Sequence, residues 1–273
     1  MRRWFPLFAL LLLIATCLRA VDATPPVTDT AVPPLLLDAL TKLSQDFDRW
    51  AYTETRVSTD PRGKPKGETI VRFDPSKPYA EQYMPLKIDG QPPTERQVSN
   101  YQKRGERRGD RLIREEAAGK SPGPDLPRFR FEGDNTAIDL GHATIVSETQ
   151  TSVTFNVPLR NDGRGTLPVE KLELLARVNK EQRAFENVSL RVREAFRVKL
   201  LLKVKGGTAN VDFAVVDPKF MPVVTSVAGE GAASILFFQF GGSFELKRTD
   251  IRRVKPYSER FGVKIGPLKA LDF

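Results

Sequence analysis

Two hydrophobic periods divide the chain. Leu36, Leu40, Leu43, Phe47 and Trp50 recur at steps of three and four, which places them on one face of a helix over about 34–49. Lys42, Gln45, Asp46 and Asp48 fall off that stripe. From Ala51 the period changes to two. Residues 51–58 and 67–73 read as strands, joined by the turn residues Asp60-Pro61-Arg62-Gly63. A third run, 79–88, ends at Asp89-Gly90, and Gln91-Pro92-Pro93 stops it. Thr94 with Gln97 then forms a capping box that opens a second helix over 94–116.

The pattern after residue 142 is strand upon strand. Val153, Phe155, Val157 and Leu159 alternate with polar positions, as do Leu172, Leu174, Ala176 and Val178. Val198, Leu200, Leu202 and Val204 alternate with Lys199, Lys203 and Lys205, and Val211, Phe213 and Val215 repeat the rhythm. The run 232–240, with Ile235-Leu236-Phe237-Phe238, is apolar on both faces. Asn161-Asp162-Gly163, Asn179-Lys180-Glu181-Gln182, Gly206-Gly207, Asp217-Pro218, Gly229-Glu230-Gly231 and Gly241-Gly242 read as the turns between strands. Such short connections force antiparallel neighbours, so 142–255 is expected to hold roughly eight strands. The fold class is mainly β (α+β): a curved antiparallel sheet or half-barrel meander with two or more covering helices. One β-rich domain, 34–273, contains it all, with a Pro/Gly linker at 117–127 after the second helix.

The N-terminus reads as an address. Arg2 and Arg3 precede an apolar run, Trp4 to Ala15, too short for the ~20 residues that span a bilayer. Val21 and Ala23 supply small residues for cleavage after Ala23, so residues 1–23 are read as a signal peptide and 24–33 as a disordered lead-in. The expected location is the periplasm. The competing reading is a lipid anchor on Cys17, within Ile14-Ala15-Thr16-Cys17.

Composition narrows the chemistry. The 273 residues include one Cys and one His, which excludes disulfide scaffolds, Cys proteases, zinc ribbons and multi-His metal centres. His142 has no nucleophile motif to serve, no Gly-rich loop opens a helix after a strand, and no calcium loop occurs. Asp134, Asp139, Glu148 and Glu170 could pair as in a glycosidase, but the aromatic density of a sugar cleft is missing. The expectation is a protein that is no enzyme and calls for no cofactor or metal. The net charge is +9. Its densest expression is the second helix, where Arg104, Arg107, Arg108 and Arg111 flank Gly105 and Gly109 between apolar ends at Val98, Tyr101, Leu112 and Ile113. The middle of that helix is expected to project into water and contact an anionic membrane surface. Export argues against nucleic acid as the partner.

The helix ending at Phe47 and Trp50, then Tyr52-Thr53-Glu54-Thr55 and Gly67-Glu68-Thr69-Ile70-Val71-Arg72-Phe73, is followed by Leu86-Lys87-Ile88-Asp89-Gly90 and later by Phe213-Ala214-Val215-Val216-Asp217-Pro218-Lys219. In this order the chain resembles the LolA/LolB lipoprotein-carrier superfamily and the related RseB regulators, at the level of pattern over most of 34–250. The resemblance implies a half-barrel whose concave face holds acyl chains or a hydrophobic peptide. The reading is therefore an exported, non-enzymatic binding protein taking up an acyl chain or a lipid-modified protein. Leu200, Leu202, Phe213, Phe238 and Phe240 are the expected ligand contacts. The alternative is an interaction or scaffold protein docking an anionic envelope surface through the Arg-rich helix.

Overall fold

The computed structural model describes residues 32–43, 49–118, 138–160, 168–198, 202–235 and 238–260. The expected signal peptide, Cys17 and the linker from Gly119 onward lie outside them. Eleven strands form one open antiparallel sheet. They are β1 (Trp50–Thr59), β2 (Pro65–Phe73), β3 (Tyr83–Ile88), β4 (Thr144–Glu148), β5 (Ser152–Asn156) and β6 (Leu172–Asn179), then β7 (Ala184–Val192), β8 (Phe196–Val198), β9 (Leu202–Ala214), β10 (Val223–Ile235) and β11 (Phe238–Arg253). The helices are α1 (Pro34–Leu43) and α2 (Glu95–Ala117). Across the sheet the order is β3-β2-β1-β11-β10-β9-β7-β6-β5-β4, with β8 continuing the edge of β7 along β9.

Residues 142–255 therefore supply the eight expected strands, β4 to β11. The sheet is more than a meander, because β1 returns to pair with the last strand, β11. The N-terminal unit β1–β3 thus extends the far edge, and α2 leaves β3 at one edge of the sheet while β4 begins the other.

Local chemistry accounts for several joints. The Asp60 carboxylate accepts from the backbone N–H of Arg62 at 2.8 Å and of Lys64 at 2.9 Å, and Gly63 takes a φ of 77° that suits its missing side chain. Asp89 and Gly90 both have positive φ, the signature of a tight two-residue reversal. At the start of α2, Gln97 Oε1 accepts from the Thr94 backbone N–H at 2.7 Å, while the Gln97 N–H reaches the Thr94 hydroxyl at 3.4 Å, the capping box read from sequence.

Three expected turns are not turns. Gly206-Gly207 lies inside β9, Gly229-Glu230-Gly231 inside β10 and Gly241-Gly242 inside β11, all within continuous ladders. The reversals fall instead between β8 and β9 and between β10 and β11. The alternating run 198–205 is accordingly split, with Val198 paired to Leu202 across a hairpin. Glycine pairs punctuate only where the ladder can end, and here neighbouring strands supply partners on both sides.

The core sits on one face. Period-two pairing carries the apolar positions of β5, β6, β7 and β9 to the same side, where Phe155, Leu174, Val178, Leu190 and Val211 pack with Leu36, Ala39, Leu40 and Leu43 of α1. A smaller cluster of Val71, Phe73 and Tyr83, with Tyr52 and Tyr101, lies on that face under α2. The opposite face is polar: Asp212 accepts from Asn187 at 2.7 Å and Ser226 at 2.6 Å, and Glu173 accepts from Arg193 at 2.6 Å. Hydrogen bonds from Arg193, reinforced by the charge of Arg191, hold the Glu173 carboxyl below its ordinary range.

The middle of α2 does not project. It lies against the 3-10 turn Tyr79–Glu81 and β3. A methyl group at Gly105 would sit 1.9 Å from the Tyr79 carbonyl oxygen, and one at Gly109 would sit 2.4 Å from the Tyr79 ring. These glycines are the seat of the helix. Gly105→Ala and Gly109→Ala should each lower Tm, although Ala is favoured over Gly in a helix by about 1 kcal/mol. Adding Tyr79→Gly should rescue the Gly109 variant, whose new carbon meets the Tyr79 ring and Cβ, and leave the Gly105 variant, which meets the backbone, unrescued. Melting curves followed by circular dichroism check this; a higher Tm for either single variant would contradict the seat.

Candidate functional site

The helix-bearing face of the sheet runs from the α1 cluster to the α2 cluster. Its floor is formed by the centres of β9, β10 and β11. Reading along the register, Gly231 pairs with Gly207 on one side and Gly242 on the other, so three glycines stand in line across three strands. The next row on the same face is Ala209, Gly229 and Phe244, with the Phe244 ring edge close over Gly229: an added Cβ there would meet it at 2.8 Å. At Gly231 an added Cβ would meet only the Gly206 carbonyl oxygen, at 3.8 Å.

Beyond the glycines the register continues with Phe196, Val204, Ala233 and Phe240, then with Val198, Leu202, Ile235 and Phe238. Every one of these positions is apolar. Phe196 is buried in the α1 cluster and Val204 packs against it. On the other side of the glycines come Val211, Val227 and Leu246, then the charged end of the face.

That end is an aromatic ladder topped by arginines. Tyr52, Phe73 and Tyr83 are cross-strand neighbours on β1, β2 and β3, with ring centroids 5.2 and 4.9 Å apart. Arg248 lies 4.1 Å over Tyr52, Arg108 5.3 Å over Phe73 and Arg104 4.6 Å over Tyr83. Glu54, 7% exposed, accepts from Arg56 at 2.6 Å and from Arg248 at 3.2 Å. Burial raises the Tyr52 phenol above its ordinary value, so it stays protonated at neutral pH. Burial opposes the charge on Arg248, but Tyr52 and Glu54 overcome that and raise its pKa.

The expected ligand residues do not meet in one place. Phe213 is buried under α1, packed 6.1 Å from Phe185. Leu202, Phe238 and Phe240 occupy the opposite end, eleven residues along β9 and about 36 Å away. Leu200 lies outside the described residues. The glycine floor between them was read as turns and so was missed. Of the helix arginines, Arg104 and Arg107 are exposed and Arg111 is half-buried, but Arg108 is 5% exposed and donates to Gln82 Oε1 at 2.6 Å. The expectation that all four stand in water is thus wrong for Arg108. The apolar faces of the helix ends and the glycines form one stripe, Val98, Tyr101, Gly105, Arg108, Gly109 and Leu112, whose spacing is the signal that would have found it.

His142 sits in an ordinary structural role. Its Nδ1 lies 2.9 Å from Asp139, which also accepts from Arg160 at 3.0 Å. The Arg160 hydrogen bond, assisted by His142, lowers the Asp139 carboxyl to about 2. Among the described residues no group of three or more His, Cys, Asp or Glu is placed to hold a metal. No helix among them is long and apolar enough to cross a membrane.

Two outcomes follow from these placements. Arg108→Ala should destabilise the fold by about 2 kcal/mol, because it strands the buried Gln82 amide and uncovers Phe73, while Arg104→Gln should cost under about 1 kcal/mol; urea denaturation of both variants compares them. A carboxylate held below its unfolded value stabilises the fold above about pH 4 and loses that contribution as the pH falls toward 2. Asp139→Asn should therefore lower Tm at neutral pH, with the gap to the parent closing as the medium is acidified.

No family model, curated protein or solved structure matches this chain.

Proposed function

We propose that this chain is an exported, non-enzymatic binding protein of the cell envelope that takes up an acyl chain, free or carried by a lipid-modified protein, on the helix-bearing face of its sheet. The observation that carries the reading is the row Gly207–Gly231–Gly242, three glycines in register across β9, β10 and β11 with apolar positions on either side. An alkyl chain needs no hydrogen-bond partners, only depth and apolar walls. Each Å² of apolar surface removed from water contributes about 25 cal/mol. The polar reverse face and the apolar end beyond the glycines give the sheet the sidedness such a carrier needs. The pattern-level resemblance to lipoprotein carriers points the same way, and the N-terminal sequence supplies the export.

The exposed cations on the outer side of α2, Arg96, Lys103, Arg107 and Arg114, favour a second reading, docking on an anionic envelope surface. The two readings separate by experiment. Protein purified from the periplasm should yield co-purifying lipid on organic extraction and mass spectrometry. Gly231→Ala should keep its Tm, because the added Cβ meets only the Gly206 carbonyl oxygen at an ordinary 3.8 Å, and lose the bound lipid. Parent protein free of lipid, and indifferent to added acyl peptide in melting experiments, would reject the carrier reading. Binding to anionic liposomes that disappears with salt would then favour the docking one.

A further inference from the structure

Strands β9, β10 and β11 outrun their neighbours. The last pair of β7 with β9 is Arg191–Thr208, and the last of β1 with β11 is Ser58–Phe244. Beyond these pairs, among the described residues, only the short strand β8 flanks them. The tongue so formed runs six residues along β11, from Phe244 to Phe238, or about 20 Å. Its charge is one-sided. Residues 196–207 and 231–243 hold the cations Arg197, Lys199, Lys203 and Lys205 and no Asp or Glu. On the polar face Arg197 stands directly opposite Lys203, in a row continued by Ser234 and Gln239. Like charges opposed across strands destabilise a sheet, so the fold gains nothing from this pair. Arg197, Lys203 and Lys205 are exposed, and none makes a side-chain hydrogen bond or ion pair among the described residues. Of the carboxylates close by in the chain, Glu194 pairs with Lys171 at 3.7 Å, and Glu230 is four residues from Ser234 along β10, about 13 Å away.

The end of the tongue is apolar. Val198, Leu202, Ile235 and Phe238 hold consecutive positions in one row across β8 to β11, and the sequence joining them is Lys199-Leu200-Leu201 and Leu236-Phe237. Strand ends that meet water favour Gly, Asn, Asp or Ser instead. The row before it belongs to the fold: Phe196 is buried in the α1 cluster, Val204 packs against that cluster, and Ala233 is buried. We propose that the end of β8–β11 docks on an anionic phospholipid bilayer, with Arg197, Lys203 and Lys205 at the level of the lipid phosphates and the row Val198–Leu202–Ile235–Phe238 entering the acyl boundary. The cations are drawn to the negative surface, and the apolar row leaves water as it enters. An acidic polypeptide would match the charges but offer the apolar row nothing. The assignment does not rest on the acyl-chain reading, and its cations are not those of α2.

Co-sedimentation of the full mature protein with vesicles tests this, using phosphatidylcholine alone and phosphatidylcholine mixed with phosphatidylglycerol. At low salt the parent should bind the anionic vesicles at least about tenfold more tightly than the neutral ones. The variant Arg197→Gln/Lys203→Gln/Lys205→Gln should lose that preference and melt no lower than the parent, since it relieves the opposed charges. Arg96→Gln/Lys103→Gln/Arg107→Gln, which removes the same charge from exposed positions on α2, should keep it. Bound Phe238→Trp should be quenched by lipids brominated on their acyl chains; Trp50, buried at the far end of the sheet, supplies the unquenched background. A preference that survives the β8–β9 variant, or that disappears with the α2 variant, overturns the site. So does a parent that ignores anionic vesicles, whether or not it binds polyglutamate, and so does a bound Phe238→Trp that is not quenched.

Discussion

One long face of an open sheet must be kept from water, and among the described residues two helices lie over it. Pairing parity fixes the problem. Because side chains alternate, the pairing from β3 to β5 sends the apolar positions of these nine strands largely to one side, with bulges between several of them. The ten residues of α1 cover β6 and β7, and α2 covers the β3 end. Between them lie β10, which carries Val227, Gly229, Gly231 and Ala233 on the helix-bearing side, and β11, which carries Gly242, Phe244 and Leu246 there. These central rows are nonetheless covered: Ala209 is 0%, Ala233 8% and Leu246 9% exposed.

The charged half of the face solves the same problem differently. There α2 brings arginine rather than leucine to the sheet. Arg104 and Arg108 present the flat faces of their guanidiniums to Tyr83 and Phe73. This covers aromatic carbon while keeping the N–H edges beside polar partners. Arginine at this interface removes the need for an apolar helix. It also explains why the helix reads as a solvated arm when only aliphatic residues are counted.

The legible parts of the fold were those with a strong local period and an unambiguous stop. Leu172 to Val178 predicted its strand and its buried face, and Thr94 with Gln97 placed the start of α2. Glycine misled twice, for one reason. Its freedom suits a turn, yet its lack of a side chain equally suits a close approach, and sequence does not say which. Gly105 and Gly109 weaken the helix in isolation but let its backbone touch Tyr79. Gly206-Gly207, Gly229–Gly231 and Gly241-Gly242 looked like three turns, and only the cross-strand register shows them to be one feature. The candidate site was illegible because it is made by pairing strands separated by tens of residues, and no local spacing encodes that.

The three glycine groups also lie near the same distance from the paired residues Leu202, Ile235 and Phe238, since Ile235 pairs with both of the others. A sheet that lacks side chains along one transverse row has lost the packing that resists bending there. Gly241 and Gly242, at φ of 149° and 120°, already take backbone conformations that other residues rarely adopt. Gly242 meanwhile brings its strand so close to β1 that an added Cβ would fall 2.2 Å from the Thr59 carbonyl oxygen. The row is therefore tied down on the β1 side and free of side chains at Gly231. The backbone is thus held at Gly242 by its neighbour strand, while Gly231 leaves its place on the face without a side chain.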